Sequence, residues 1–160
     1  GMSQVDGRVF RVADTASGSF SLEGEDTTAF DTFTSGGFEV ITLGTSLGSI
    51  KSLSSSGGDF NFIDTTTIHD NVATQIPGLA SASSFSFENI WDVSDAGLLA
   101  MKVASDNKEQ RAMKFVFADG QIMVFNGYVG ATLLPGGSAQ DLVTTSSVIT
   151  MYGTPTYYAS

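Results

Sequence analysis

One turn dipeptide, set between two runs of alternating aliphatic and aromatic residues, constrains this chain most. The stretch is EQRAMKFVFADGQIMVFNGYV, residues 109–129. Phe115 and Phe117 alternate with Lys114 and Val116, and Asp119-Gly120 then turns the chain. Asp-Gly is favoured in two-residue hairpin loops whose central residues both take positive φ. On the return, Ile122, Val124, Asn126 and Tyr128 point one way, and Met123, Phe125, Gly127 and Val129 the other. Neither face is polar throughout, so the reading is a central hairpin covered on both sides. A Val/Thr-rich run from Leu142 to Tyr152 follows the Leu134-Pro135-Gly136-Gly137 loop and adds a third strand, making a meander.

Upstream, 7–12 (GRVFRV), 38–43 (FEVITL), 48–53 (GSIKSL) and 59–68 (DFNFIDTTTI) read as strands. Residues 14–37 read as an extra hairpin or a surface excursion, and Ser54 to Gly58 as a turn. Segment 66–81 holds apolar residues with no sustained period and contains Pro77-Gly78. It reads as a loop that docks on something. Strand 82–91 alternates cleanly, with Phe85, Phe87 and Trp91 opposite Ser84, Ser86 and Glu88. A single helix is expected over 94–105, with Ser94 as cap, Asp95 at its positive end and an apolar stripe of Leu98, Leu99, Met101 and Val103. Gly97 inside it costs about 1 kcal/mol relative to alanine, so tertiary packing must hold it. The fold class is therefore mainly β: a β-sandwich or partly closed β-barrel of about eight strands with one packed α-helix.

A chain of 160 residues suits one domain and, folded compactly, would bury about 70% of its unfolded surface. With no cysteine it has no disulfide, thiolate metal site or cysteine nucleophile. No apolar run reaches the roughly 20 residues of a membrane span, so no membrane partner is expected. The net charge of -10 lies wholly within 1–100, where thirteen acids face only Arg8, Arg11 and Lys51. Such a surface repels phosphate backbones, and specific nucleic-acid binding is not expected.

No catalytic, cofactor or metal site stands out. His69 is the sole histidine and reads as a surface loop residue. Asp64, Asp70 and His69 lie near hydroxyl residues without any nucleophile-elbow signature. Glu23, Glu25 and Asp26 sit in the low-complexity excursion and read as solvated charge. Trp91 reads as core or interface rather than a sugar platform, and Phe115, Phe117 and Phe125 read as core.

The order of pieces then points to a family. Ile63-Asp64-Thr65-Thr66, Ile76-Pro77-Gly78-Leu79, Phe117-Ala118-Asp119-Gly120, Phe125-Asn126-Gly127-Tyr128-Val129 and Gly153-Thr154-Pro155 follow one another in a spacing that resembles the major tail tube proteins of long-tailed, non-contractile bacteriophages. The resemblance covers residues 60–157, and nothing functional is carried over before residue 60. It implies a structural virion protein and no enzyme: hexameric rings stacked into a tube through which DNA leaves without specific binding. Implied partners are further copies of the chain and the tape measure, tail terminator and distal tail proteins. The implied location is the virion tail, after assembly in the host bacterial cytoplasm. A secretion-system tube protein of similar architecture and a carbohydrate-binding β-sandwich are the alternatives. Within this reading Asp64, Thr66, His69, Asp70, Ile76, Pro77, Gly78 and Leu79 form a candidate self-assembly loop. Asp119, Gly120, Phe125, Gly127, Tyr128 and Val129 are structural motif residues. The acidic balance is expected to face a DNA-repelling lumen.

Overall fold

The computed structural model describes residues 2–159. Its centre is the last strand of the chain, β9 (Thr144–Tyr158), in a five-stranded antiparallel sheet of order β3-β6-β9-β8-β7. The other members are β3 (Ile50–Ser56), β6 (Ser84–Ile90), β7 (Gln110–Val116) and β8 (Ile122–Ala131). β7, β8 and β9 form the expected meander, with Phe115 opposite Met123 and Val129 opposite Ile149. The middle strand is β9, and β7 of the Asp-Gly hairpin is an edge. Two ribbons stand outside this sheet: β1 (Val12–Ala16) with β2 (Ser19–Leu22), and β4 (Phe60–Asp64) with β5 (Gln75–Ala80). The chain is mainly β, with sandwich-like sheets and one helix, and no closed barrel forms among the described residues.

The core lies on one face of the large sheet. Phe87, Met123, Phe125 and Ile149 are buried there, joined by the half-buried Phe85, Met113, Phe115 and Met151. Phe115 meets Phe85 and Phe125 edge-on at 5.1 Å between ring centroids, the arrangement that aromatic quadrupoles favour. Helix α1 (Ala96–Asn107) packs on this face through Met101, and its Leu98 and Ala104 are buried. Its cap is Asp95, whose carboxylate accepts from the N–H groups of Gly97 (2.7 Å) and Leu98 (3.1 Å). Ser94 instead donates to Asp92. Leu99 and Val103, expected in the apolar stripe, are exposed, because the inward face follows Gly97, Leu98, Met101 and Ala104. Gly97 answers a close backbone approach: a Cβ there would stand 2.7 Å from the Ser46 carbonyl oxygen and 2.8 Å from Leu47 Cα.

Several expected boundaries move. The Asp-Gly turn is a three-residue loop: Gly120 N–H donates to Phe117 O at 3.0 Å and Phe117 N–H to Gln121 O at 2.9 Å. Only Gly120 takes positive φ, +88°, the geometry of a type I turn followed by a left-handed glycine. Asp119 accepts the Gln121 N–H at 3.1 Å, the side-chain bond that holds aspartate in such turns. β9 runs on past Gly153-Thr154-Pro155, which form a bulge opposite Phe125 between the Asn126–Tyr152 and Val124–Thr156 pairs. Ser54 to Ser56 extend β3, and the turn is Gly57-Gly58 alone.

Residues 7–11 are not a strand, because their polar groups dock on the sheet. Gly7 O accepts from Asn126 Nδ2 at 2.9 Å, and Arg11 N–H donates to the Tyr158 hydroxyl at 2.7 Å. Arg8 pairs with Glu25 at 2.9 Å and donates to the Thr156 hydroxyl at 3.2 Å. Val124 and Thr156 are buried on this second face, so the start of β8 is covered on both sides, whereas the exposed Val116 and Tyr128 leave the rest of the hairpin's second face open, contrary to expectation. The excursion begins with the β1–β2 hairpin, and 23–49 contains neither helix nor strand. Residues 38–43 carry a strand-like pattern and remain unpaired, with Phe38 and Val40 exposed.

Candidate assembly surfaces

The sequence placed its candidate loop at 66–81; in the structure this segment is half loop and half strand. Gln75 to Ala80 form β5 and pair with β4 in the register Phe60–Ala80, Phe62–Pro77, Ile63–Ile76 and Asp64–Gln75. Both strands of a two-stranded ribbon are edges, which is where proline is tolerated. β5 carries one extra residue between Pro77 and Ala80. At Gly78 a Cβ would meet the Asn61 carbonyl oxygen at 2.7 Å, so the bulge needs glycine. Ile76, Pro77, Gly78 and Leu79 therefore lie on a strand, whereas Thr66, His69 and Asp70 form the ribbon tip and Asp64 ends β4.

The tip is tied by its own polar groups. Thr66 N–H donates to the Asp64 carboxylate at 2.8 Å, and Thr67 donates to Asp70 through its N–H (2.7 Å) and hydroxyl (2.9 Å). Those two Thr67 bonds hold the Asp70 carboxyl below the usual carboxylate range. This is loop structure rather than chemistry: Asp70 is engaged by Thr67, and among the described residues no group of three His, Asp or Glu is placed to hold a metal ion.

What distinguishes the ribbon is its uncovered apolar surface. Phe60, Phe62, Ile63, Ile76 and Leu79 are 57, 63, 54, 52 and 88% exposed, and Ile68 at the tip is 97% exposed. An isolated two-stranded hairpin is marginal in water, and among the described residues no further strand pairs with this one. Segment 23–49 adds Phe33, Phe38 and Val40 to the exposed set. The whole chain shows 11098 Å² to solvent, against about 7,600 Å² for a compact protein of its mass. The expectation of a self-sufficient compact domain underestimates this surface, because the ribbons and 23–49 contribute area without a core of their own.

The motif residues serve the body. Phe125 is fully buried. Gly127 lets β8 approach β9, since a Cβ there would stand 2.8 Å from Thr150 O. Val129 packs on the core, and Tyr128 is exposed on the opposite face, edge-on to Tyr152. Phe117, read as core, is 44% exposed beyond the end of β7. Trp91 lies just past β6 and donates its indole N–H to Leu133 O at 3.0 Å. Sequence reasoning missed the buried polar residues Asn89, Thr145, Ser147 and Thr156, of which Asn89 is the most enclosed. It lies on the Phe85–Phe87 face and donates to Ser147 Oγ at 2.9 Å, and its position two residues after Phe87 was the available signal.

The charges also separate. Glu88 is the only acid in the five-stranded sheet, which carries Lys51, Arg111 and Lys114. The negative excess thus resides outside the sheet, in the N-terminal segments, the ribbon, the stretch around α1 and the loops that hold Asp119 and Asp141.

No curated protein matches the sequence. Among solved structures, the fold is similar to a chain from the tail of an empty gene transfer agent particle refined with C6 symmetry. That match has a TM-score of 0.54 and 13% identity, over 71% of this chain and 84% of that one. It is also similar to a chain of the native gene transfer agent virion, with a TM-score of 0.52 and 14% identity over 71% and 87%. At these identities the likeness concerns the fold. The model of the phage tail tube protein family matches residues 1–160, and the chain belongs to that family.

Proposed function

We propose that this structural tail tube subunit closes into six-membered rings that stack into a hollow tube, with the β4–β5 ribbon bridging subunits. The observation that carries the reading is the ribbon itself, apolar on both faces and, among the described residues, paired only within its own two strands. The C6 tail assembly of a similarly folded chain supports the ring number. A head-to-tail contact that closes makes a ring, and a second contact along the axis makes a filament. The free edges β3 and β7 offer further surfaces for neighbours, as unpaired edges do. DNA passes through without specific binding. Its repulsion comes from the acidic arms and tip rather than from the sheet, whose charge is slightly positive. Tape measure, tail terminator and distal tail proteins bound the tube, and assembly takes place in the host cytoplasm before the tube becomes part of the virion tail. The test is negative-stain electron microscopy of the wild-type chain and the Ile76→Ser/Leu79→Ser double variant across a concentration series. Rings or tubes from wild type, absent from a normally folded variant, are expected. An unfolded variant would mean that the segment is core.

A further inference from the structure

Helix α1 covers only part of the sheet's apolar face. Beyond it the face continues as an open trough with Phe85, Phe115 and Met123 on its floor and Leu53, Phe117 and Tyr157 on its rim. No charged side chain lines it, and its rim residues are 46, 44 and 69% exposed, in that order. We propose that this trough is the acceptor for the β4–β5 ribbon of a second copy of the chain, an inference that rests on the tube-subunit reading and names the surface the ribbon enters.

Three features select that occupant. The ribbon is an apolar element without a core that, unlike the exposed segment 23–49, is already paired into strands, and β5 carries no charge at all. Its two roots, Gly57 and Ser83, belong to the trough's own rim, yet it is held off the trough in its own subunit. Gly57 and Gly58 both take positive φ, +90° and +85°. Gly58 N–H donates to Ser81 O at 3.1 Å and Ser81 N–H to Asp59 O at 2.9 Å. A Cβ at Gly57 would stand 2.2 Å from Ala82 O, so the root has little freedom. Each subunit then carries one donor and one acceptor, which is what a head-to-tail contact requires. The area agrees: the excess over a compact chain is about 3,500 Å², enough for several patches of the roughly 800 Å² that each partner contributes to a standard interface.

The absence of cysteine makes the test direct. Leu79→Cys and Phe117→Cys chains are prepared separately, mixed, allowed to assemble and treated with a short bismaleimide. Mixing two single variants restricts the hetero-pair product to contacts between copies. The mixture is expected to give this product at least tenfold above a control pairing Leu79→Cys with Phe33→Cys. A chain carrying both Leu53→Cys and Phe117→Asp, normally folded by circular dichroism and mixed with Leu79→Cys, should give no hetero-pair above that control, whereas Leu53→Cys alone mixed with Leu79→Cys should give it. If rings or tubes form and the hetero-pair is no stronger than the control, another segment occupies the trough and the inference is overturned while the subunit reading stands. If the wild-type chain forms neither rings nor tubes and no pair cross-links, both are overturned.

Discussion

β4 and β6 carry the same local message and meet opposite fates. Each alternates phenylalanine with polar or aliphatic residues: Phe60 and Phe62 in one, Phe85 and Phe87 in the other. Phe87 is 3% exposed and Phe62 is 63% exposed. β6 lies between β3 and β9, with the meander's aromatic residues gathered on its apolar face, whereas β4 pairs with β5 alone. Periodicity therefore identifies a strand and its faces; what covers a face is decided by neighbours, and for β4 those neighbours belong to other subunits in the proposed tube.

The contrast is broken most directly by truncating one ring on each side of it. Phe125→Ala should lower the stability of the free subunit by about 3–5 kcal/mol in urea denaturation, while Phe62→Ala should stay within about 0.5 kcal/mol. Equal losses would make the ribbon part of the core. Next is the helix contact: Gly97→Ala should cost about 1–3 kcal/mol by overpacking against Ser46 and Leu47, despite alanine's better helix propensity. Gly37→Ala, which meets nothing within 4 Å, should leave the melting temperature unchanged. Removing the cap, Asp95→Ala, should cost about 1 kcal/mol, read by thermal melting.

The smallest effect is at the tip. Asp70 has its pKa lowered by Thr67, so its contribution is present above the unfolded value, about 4, and is lost as pH falls through the lower folded one. Hydrogen-exchange protection at Thr67 should drop in acid while the sheet's protection holds, and Asp70→Asn should abolish that pH dependence. Protection that is unchanged in acid would show the tip to be held by something other than this carboxylate.

The body was legible because its signals are local and mutually consistent. The Asp119-Gly120 turn, the alternation at Phe85 and Phe87 and the small polar stop before Ala96 each name an element, although the turn has three residues and the cap is Asp95 rather than Ser94. The end of β9 was not legible, because Gly153-Thr154-Pro155 reads as a stop and becomes a bulge only when β8 lies alongside. Segment 38–43 has strand propensity with no partner strand, and propensity supplies none. Gly7 to Arg11 alternate like a strand, but Asn126, Thr156 and Tyr158 capture their polar groups from more than a hundred residues away. At the ribbon, the sequence exposed the apolar content of 66–81 and missed that Pro77 and Gly78 are compatible with a strand that has only one neighbour.

The placement of β9 has a consequence for the order of synthesis. Every pairing that joins the β3–β6 half of the sheet to the β7–β8 half runs through β9, and β9 follows all the other strands in the chain. Until β9 is in place, no pairing joins the β3–β6 half to the β7–β8 half, and the trough floor draws on residues of both. In the proposed tube, a chain still lacking β9 has a ribbon to donate and no trough to receive one, so head-to-tail growth through it requires its last strand.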